Sequence, residues 1–291
     1  MTAAHVAATA RAKVNLYLHV VGRRADGYHL LDSLVAFADM GDVLRARSAP
    51  CLGLAVEGPF APDLAPEPDN LVLRAARALA ATAAIGESGG ALTLVKNLPV
   101  AAGLGGGSAD AAAALRILSD LWAVRIDPAR LMMLAQGLGA DVPVCLAGRA
   151  AFIGGVGEKV EPAPALPPAG LVLVNPRVPL ATPSVFKARS GAFSMPARFS
   201  TLPRDVGELA ALLRERTNDL TDAAVALVPA IKDVLDVLAA SPGCLLSRMS
   251  GSGATCFGLY ADEAGARKAA AWIAARAPAW WIAPTRLAAE A

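Results

Sequence analysis

The sequence has few aromatic residues and almost no net charge. Of its 291 residues, 5% are aromatic, and the formal net charge is only +2. Proteins that bind nucleic acids usually carry clustered lysine and arginine for the phosphates, together with aromatic rings on which the bases stack. No basic run with interleaved aromatic residues occurs in this sequence. The composition therefore argues against a nucleic-acid partner.

Histidine and cysteine are scarce as well. The three histidines are dispersed and the four cysteines form no C-x-x-C pair, the positions being His5, His19, His29, Cys51, Cys145, Cys244 and Cys256. A histidine-rich metal site or a Ser-His-Asp triad is therefore not expected. The cysteines are expected to be ordinary buried thiols rather than disulfides or metal ligands.

Long apolar runs and targeting signals are missing too. No apolar stretch reaches the roughly 18 residues that a membrane span requires. The segment Met1–Ala10 has no basic region followed by an apolar run, which a signal peptide would show. We therefore expect a cytoplasmic protein without a membrane partner. No apolar stripe stands out as an interface, which favours a monomer or a weak homodimer.

The pattern of the chain alternates between strands and helices. Apolar residues at every second position predict a strand over Lys13–Val21, with Lys13 and Asn15 on its polar face. Further strands are predicted over Ser33–Ala38, Ala91–Lys96, Val142–Leu146, Leu171–Asn175, Leu245–Met249, Thr255–Tyr260 and Trp280–Arg286, and Ala150–Ile153 is a short apolar run. Helices are predicted over Leu71–Ala84, Ser108–Trp122, Ser184–Ala188, Val206–Arg216, Ala224–Ala239 and Glu263–Ala275. One more helix is predicted to open at Asp127-Pro128 and to end near Gly137–Gly139.

This order of elements predicts an α+β fold, in which helices pack on one face of an antiparallel sheet. The stretch Pro59–Pro68 is predicted to be a surface loop, after which Asp69 and Asn70 cap the next helix. The proline-rich stretch Pro162–Pro168 is the candidate boundary between two domains. The predicted domains are therefore residues 1–160 and 161–291.

The most informative segment is a glycine-rich loop between a predicted strand and a predicted helix. Residues 99–110 have the sequence PVAAGLGGGSAD. Its glycines let the backbone approach a ligand closely, and the free N–H groups of the following helical turn attract an anion. The alternative is a flexible linker or a plain helix cap. However, a flexible linker would not be expected to sit tightly between a strand and a helix. The segment predicts a phosphate-binding loop and hence a small-molecule kinase.

Two better-known phosphate loops do not fit the segment. A Walker A loop ends in Gly-Lys-Ser/Thr, whereas Gly107 is followed directly by Ser108. The dinucleotide fingerprint G-x-G-x-x-G, counted from Gly103, breaks at Ser108. A second glycine cluster, Ser250–Ala254, lies between two predicted strands, and on spacing alone a hairpin turn explains it.

Charged residues that could carry chemistry are few. Asp141 lies between a predicted helix end and a predicted buried strand, where an unpaired carboxylate is costly to bury. It could be a general base for a substrate hydroxyl, or it could cap the backbone of its own turn. Lys13 could neutralise a transferring phosphoryl group, or it could belong to an ordinary solvated strand face. The pair Tyr28-His29 could offer a flat surface for a base, or it could be packing.

Three segments together resemble the three motifs of the GHMP kinase superfamily. They are Ala12–Leu16, the loop Pro99–Ser108 and Ser250–Gly253, in the family's order and covering most of the chain. The segments Asp26–Ser33 and Gly139–Pro143 are similar to one branch, which phosphorylates 4-diphosphocytidyl-2-C-methyl-D-erythritol in the non-mevalonate route to isoprenoid precursors. One departure is Ala109, which stands where the family often has a second serine.

The resemblance implies a two-domain fold and a set of ligands. The N-terminal domain would resemble the second domain of ribosomal protein S5, and the C-terminal domain would be ferredoxin-like. ATP would be the phosphate donor, with Mg²⁺ expected beside it and Ser108 as the nearest candidate ligand, since no dense carboxylate cluster can be assigned. The partner would be the small-molecule substrate.

The resemblance also implies the roles of individual residues. Asp141 would be the base and a substrate contact, with Lys13 as its charged neighbour. The cytosine ring would lie near Tyr28, His29 and Phe186, and the polar parts of the substrate near Asn15 and Thr182. The nucleotide would lie along Lys96, Pro99, Ala101, Gly103, Leu104, Gly105, Gly106, Gly107 and Ser108.

Two alternatives remain at this stage. One is another GHMP kinase of the homoserine or mevalonate type, against which the Asp26–Ser33 segment argues. The other is a catalytically silent sensor on the same fold. The presence of both Lys13 and Asp141 argues against a sensor, because a sensor needs no base.

Overall fold

The structure is a computed structural model, and it describes residues 5–64, 70–85 and 89–289. The strands are β1 (His5–Arg23), β2 (His29–Arg47), β3 (Leu52–Glu57), β4 (Gly90–Val95), β5 (Ala151–Gly155), β6 (Lys159–Pro162), β7 (Gly170–Asn175), β8 (Leu246–Met249), β9 (Cys256–Tyr260) and β10 (Trp281–Arg286). The α-helices are α1 (Leu71–Ala83), α2 (Gly106–Leu121), α3 (Pro128–Leu138), α4 (Val142–Ala147), α5 (Thr182–Ala188), α6 (Val206–Arg214), α7 (Thr221–Leu227), α8 (Ala230–Ala240) and α9 (Glu263–Ala274).

The chain forms two compact units that do not follow each other simply in sequence. The first unit comprises residues 5–12, Met40–Val100 and Gly105–Gly148. The second comprises Lys13–Asp39, Ala101–Leu104 and residues 149–289. The stretch Pro162–Pro168 lies within the second unit. The division into domains 1–160 and 161–291 stays a prediction.

The first unit combines strands with a layer of helices. Strand β4 pairs antiparallel with the end of β2, with Val43 opposite Val95, and parallel with β3. Helices α1 and α2 pack against each other, and α4 packs against α2 and α3. Helix α2 begins within the glycine loop, at Gly106, and buries a run of alanines whose small side chains allow close packing.

The second unit contains an antiparallel sheet covered by helices. Its strand order is β10-β7-β9-β8, and helices α8 and α9 pack against it. Fully buried apolar side chains fill the space between them, among them Val174, Ile231, Leu238, Cys256 and Ile273. The start of β2 pairs with β5, and β5 pairs with β6. Both units mix helices with largely antiparallel strands, which confirms the predicted α+β class.

Two predicted elements were wrong in type or extent. Val142–Leu146 is helix α4 rather than a strand, because Pro143 fits the first turn and the Cys145 N–H donates to the Asp141 carbonyl. The helix predicted over Ala224–Ala239 is two helices, since Pro229 disfavours helical geometry at Val228.

Cys51 is exposed and Cys244 half-buried, so only Cys145 and Cys256 are the buried thiols that were predicted.

Two strands were missed, and part of one loop cannot be judged. Strands β3 and β6 were not predicted, although the alternating exposure of β3 follows from its alternating sequence. Asn70 caps α1 as predicted, its side chain accepting from the Val72 N–H. Asp69 and part of the loop Pro59–Pro68 lie outside the described residues. No helix in the described ranges is long and apolar enough to cross a membrane.

Candidate active site

Helix α2 presents a glycine-lined N-terminus in the first unit. Gly105 is the N-cap with φ 61°, a left-handed conformation that suits glycine, and it offers no side-chain cap. A Cβ added at Gly107 would meet no atom of the described ranges within 4 Å, so this turn has an open side there. Because the first backbone N–H groups of a helix lack intrahelical acceptors, the turn Gly106–Ser108 suits an anion such as phosphate.

Behind this helix start lies a buried cluster of three charged side chains. The Lys96 ammonium contacts Asp42 and also Asp110, with 2.9 Å from Nζ to Asp110 Oδ2. All three residues are at most 3% exposed. The backbone N–H groups of Asn97 and Leu98 donate to Asp42 Oδ1 at 2.6 and 2.9 Å. The ammonium of Lys96 is therefore engaged within the protein, and its predicted contact with the nucleotide stays a prediction.

Two carboxylates share one ammonium in this cluster, so the two cannot both be fully compensated. Asp42 accepts from two backbone N–H groups besides Lys96. The charge of the Asp110 carboxylate is compensated less well. Burial raises its pKa to about 7, Asp42 adds to the rise, and Lys96 opposes it. Its Oδ1 atom is buried and has no hydrogen-bond partner among the residues that the structure describes. Burial alone would lower the pKa of Lys96, but Asp110 and Asp42 outweigh that effect and raise it.

This arrangement predicts a pH-dependent stability that Asp110→Asn removes. The folded-state pKa of about 7 exceeds the ordinary aspartate value of 3.8, so the native state holds this proton more tightly than the unfolded chain does. Its contribution is present below pH 4 and is lost as pH rises through 7. Relative to Asp110→Asn, the wild type is expected to lose on the order of a few kcal/mol of unfolding free energy between pH 4 and 8. Urea unfolding of both proteins across this range measures it, and a constant difference would contradict it.

Asp141 begins helix α4 in the first unit. It is half-buried, and its carboxylate makes no capping hydrogen bond to the helix it precedes. The local turn is instead closed by the backbone, because the Val142 N–H donates to the Gly139 carbonyl at 3.1 Å. The simple capping role that was one interpretation of Asp141 is therefore not what the structure shows.

In the second unit, Lys13 and Asn15 form a buried hydrogen-bonded group with strand β2. Lys13 and Asn15 are each 5% exposed, which excludes the solvated strand face that was the alternative. Lys13 Nζ donates to Asn15 Oδ1 at 2.9 Å, and Asn15 Nδ2 donates to Ser33 Oγ at 2.8 Å. The role of Asn15 in binding substrate stays a prediction, and its amide oxygen already accepts from Lys13.

The second glycine cluster holds part of the first loop. It connects β8 to β9, as a hairpin turn would, but it also contacts residues 101–104. Ser250 Oγ donates to the Gly103 carbonyl at 3.0 Å, and the Thr255 N–H donates to the Ala102 carbonyl at 3.2 Å. A Cβ on Gly103 would lie 2.4 Å from the Ser250 carbonyl oxygen. This close approach explains why position 103 requires glycine.

The remaining predicted loop residues have different environments. Pro99 is buried, and Leu104 is 1% exposed, so the side chains of both belong to the packing. The Leu104 carbonyl accepts from the Lys13 N–H at 2.9 Å. Ala101 is exposed with φ 51°, a left-handed conformation that is unusual for alanine. Contact of Pro99, Ala101 and Leu104 with nucleotide stays a prediction.

Two of the residues predicted to lie near the base, His29 and Phe186, form an aromatic pair in the second unit. His29 stacks on Phe186, with ring centroids 5.3 Å apart and an interplanar angle of 29°. Tyr28 is 65% exposed. The pKa of His29 is lowered by burial and by the nearby cations of Arg23 and Arg189, which favours the neutral ring.

Thr182 starts helix α5 and is joined to the second glycine cluster. Its hydroxyl oxygen lies 2.7 Å from that of Ser252. This contact gives Ser252 a role that its sequence position did not suggest. In the described ranges, no group of three or more His, Cys, Asp or Glu side chains could hold a metal ion.

Several residues of this geometry were given no individual role in the sequence analysis. They are Asp42, Asp110, Ser33, Ser250, Arg23 and Arg189. The signal at Asp42 was weak, because strand β2 also contains the charged residues Asp32, Asp39, Arg45 and Arg47. Its partner Lys96 is 54 positions away, so the pairing itself could not be inferred.

Comparisons with known proteins place these features in a family. Residues 70–149 match the family described as GHMP kinases N terminal domain, and residues 199–278 match GHMP kinases C terminal. A 4-diphosphocytidyl-2-C-methyl-D-erythritol kinase of Paramagnetospirillum magneticum is 58% identical to this chain, covering 96% of it and 97% of that protein.

Solved structures give the same result. A crystal structure of 4-(cytidine 5'-diphospho)-2C-methyl-D-erythritol kinase is 36% identical, with a TM-score of 0.77, covering 97% of this chain and all of the other. Homoserine kinase from Cytophaga hutchinsonii has a TM-score of 0.75 at 17% identity, covering 98% of this chain and 95% of the other, and shares only the fold. The chain therefore belongs to the GHMP kinase family, together with the 4-diphosphocytidyl-2-C-methyl-D-erythritol kinases.

Proposed function

We propose that this chain transfers the γ-phosphate of ATP to the 2-hydroxyl of 4-diphosphocytidyl-2-C-methyl-D-erythritol, a step of the non-mevalonate route to isoprenoid precursors. The substrate is that of relatives identical at 58% over nearly the full length. The observation in the structure that carries the assignment is the stack of His29 on Phe186, a flat surface suited to a pyrimidine base.

The chemistry requires proton removal and charge compensation. The substrate oxygen bonds to the γ-phosphorus, the bond from that phosphorus to the β,γ-bridging oxygen breaks, and ADP leaves. We assign the released hydroxyl proton to the carboxylate of Asp141, which does not cap its own helix. We assign compensation of the phosphoryl charge to the ammonium of Lys13, whose orientation is fixed by Asn15.

The nucleotide phosphates are assigned to the first turn of α2. Support comes from the glycine N-cap and the open space beside Gly107. Mg²⁺ is proposed to accompany ATP, because this ion binds through phosphate oxygens, water and only one or two protein oxygens. Such an ion would compensate phosphate charge, and Ser108, in the same turn, is the candidate protein ligand.

Base recognition gives a testable prediction at Phe186. Phe186→Ala removes one ring of the stack and is expected to raise KM for the cytidyl substrate by about 5- to 100-fold, as base stacking contributes roughly 1–3 kcal/mol. Phe186→Tyr keeps a ring in place and is the matched control. KM for ATP is expected to stay constant in both variants. An equal rise in KM for ATP would show that Phe186 supports the fold rather than the base.

The substrate assignment is tested by coupled ADP release with three alcohols. 4-Diphosphocytidyl-2-C-methyl-D-erythritol, mevalonate and homoserine are each supplied with ATP and Mg²⁺. Turnover is expected with the cytidyl compound alone. Turnover with mevalonate or homoserine instead would keep the kinase and reject the substrate, whereas turnover with none would favour a silent sensor. The cytoplasmic location, the monomer or weak homodimer and the lack of a nucleic-acid partner stay predictions.

A further inference from the structure

We propose that Ser33 is a positioning residue that fixes the Asn15 amide and, through it, the ammonium of Lys13. The proposal rests on the proposed function only in giving Lys13 its role in phosphoryl transfer. Three hydrogen bonds connect the residues in series: Lys13 Nζ to Asn15 Oδ1 at 2.9 Å, Asn15 Nδ2 to Ser33 Oγ at 2.8 Å, and Ser33 Oγ to the Tyr17 carbonyl at 2.5 Å.

The donor and acceptor in each of these hydrogen bonds follow from the groups at the two ends of the series. The Tyr17 carbonyl can only accept, so the Ser33 hydroxyl must donate to it and can offer only a lone pair to Asn15. The side of the Asn15 amide that faces Ser33 must therefore be its NH₂ group. The amide oxygen then faces Lys13, whose ammonium can only donate. Both ends independently require the same amide orientation, which removes the usual ambiguity of an asparagine side chain.

Burial makes Ser33 hard to replace by water. Ser33 is 1% exposed and Asn15 is 5% exposed. Without the serine hydroxyl, the Asn15 NH₂ group would lose a partner inside the protein, and unpaired buried polar groups are costly. Ser33 lies on β2 opposite Ile153 of β5, so paired strands hold its backbone in place. Its hydroxyl donates to Tyr17 and accepts from Asn15, which makes it a positioning group rather than a group for substrate contact.

A second contact holds the backbone of Asn15 but not its side chain. The Asn15 N–H donates to Ser250 Oγ at 3.1 Å. Loss of the Ser33 hydroxyl therefore leaves the strand anchored and releases only the amide. The expected consequence is a less well placed Lys13 ammonium, and small misplacements of catalytic groups lower the rate of the chemical step.

Kinetics of Ser33→Ala test the proposal. We expect kcat to fall by about tenfold, with KM for both substrates within about twofold, because positioning acts on the chemical step. Ser33→Thr keeps a hydroxyl and should restore kcat, while Ser33→Cys, a weak hydrogen-bonding group, should behave like alanine. In a Lys13→Met background, measured by single turnover, Ser33→Ala should have no further effect. A further loss in that background, an unchanged kcat or no rescue by threonine would overturn the proposal.

A second readout does not depend on the substrate assignment or on activity. The side-chain amide resonances of ¹⁵N-asparagine-labelled protein are recorded, and that of Asn15 is identified by its loss in Asn15→Asp. Its shift and slow hydrogen exchange are expected to change in Ser33→Ala and Ser33→Cys and to return in Ser33→Thr. If the Asn15 resonance is the same in the wild type and in all Ser33 variants, the positioning role is rejected. This holds even if the wild type phosphorylates a different alcohol. If Ser33→Ala does not fold, the cysteine and threonine variants decide the outcome.

Discussion

Asp141→Asn is expected to lower kcat by about 10²- to 10⁴-fold, because a positioned general base contributes that much to the rate. The amide cannot take the substrate proton, although it keeps the size of the carboxylate. KM for ATP is expected to change little, since the phosphates are assigned to the first turn of α2. Coupled ADP release with saturating substrates measures the effect.

A matched control separates this effect from a general loss of charge. Asp120→Asn also removes a carboxylate from the first unit, at an exposed position near the end of α2. It is expected to leave kcat unchanged. If Asp141→Asn retained activity within about threefold of the wild type, proton transfer to Asp141 would contribute far less than a general base normally does.

The largest expected loss of stability follows from Lys96→Met. Removal of the ammonium leaves Asp42 and Asp110 facing each other inside the first unit, where both are at most 3% exposed. Breaking a buried ion pair on one side typically costs about 3–5 kcal/mol, because the remaining charge is not compensated. We expect a loss of that size in the unfolding free energy, measured in urea by tryptophan fluorescence.

An exposed ion pair provides the control for this prediction. Lys232 pairs with Asp236 one turn away on α8, and both side chains are more than 60% exposed. Lys232→Met is expected to lower the unfolding free energy far less than Lys96→Met does, since solvent screens such pairs. In an Asp110→Asn background, Lys96→Met should cost less than it does alone, because only one carboxylate then remains. An equal cost in both backgrounds would mean that Asp110 is not part of the cluster's charge balance.

Local patterns in the sequence predicted local structure well. The alternation of apolar residues predicted a strand over Lys13–Val21. In the structure this strand is longer and spans His5–Arg23. The glycine run predicted a loop followed by a helix, and α2 begins within it at Gly106. These features depend on neighbouring residues, so their physical causes are visible in a single segment.

Local patterns could not predict the type of a short apolar element or the contacts between residues that lie far apart in the sequence. Five consecutive apolar residues at Val142–Leu146 fit a buried strand and a buried helix equally, and Pro143 in the first turn decided for the helix. The contact of Lys96 with Asp42 and that of Asn15 with Ser33 join residues that only the fold brings together. The roles of Asp141, Lys13 and the cytidyl site came from family resemblance and stay predictions.

The position of the new phosphate tests the central claim most directly. Wild-type protein, ATP and Mg²⁺ are incubated with 4-diphosphocytidyl-2-C-methyl-D-erythritol carrying a ¹³C-labelled methyl group, and the product is followed by ³¹P and ¹³C NMR. Phosphorylation of the 2-hydroxyl predicts a new phosphomonoester signal and a methyl carbon split by phosphorus through three bonds. A new phosphomonoester with an unsplit methyl signal would place the phosphate on another hydroxyl, and no phosphomonoester would contradict the proposed reaction.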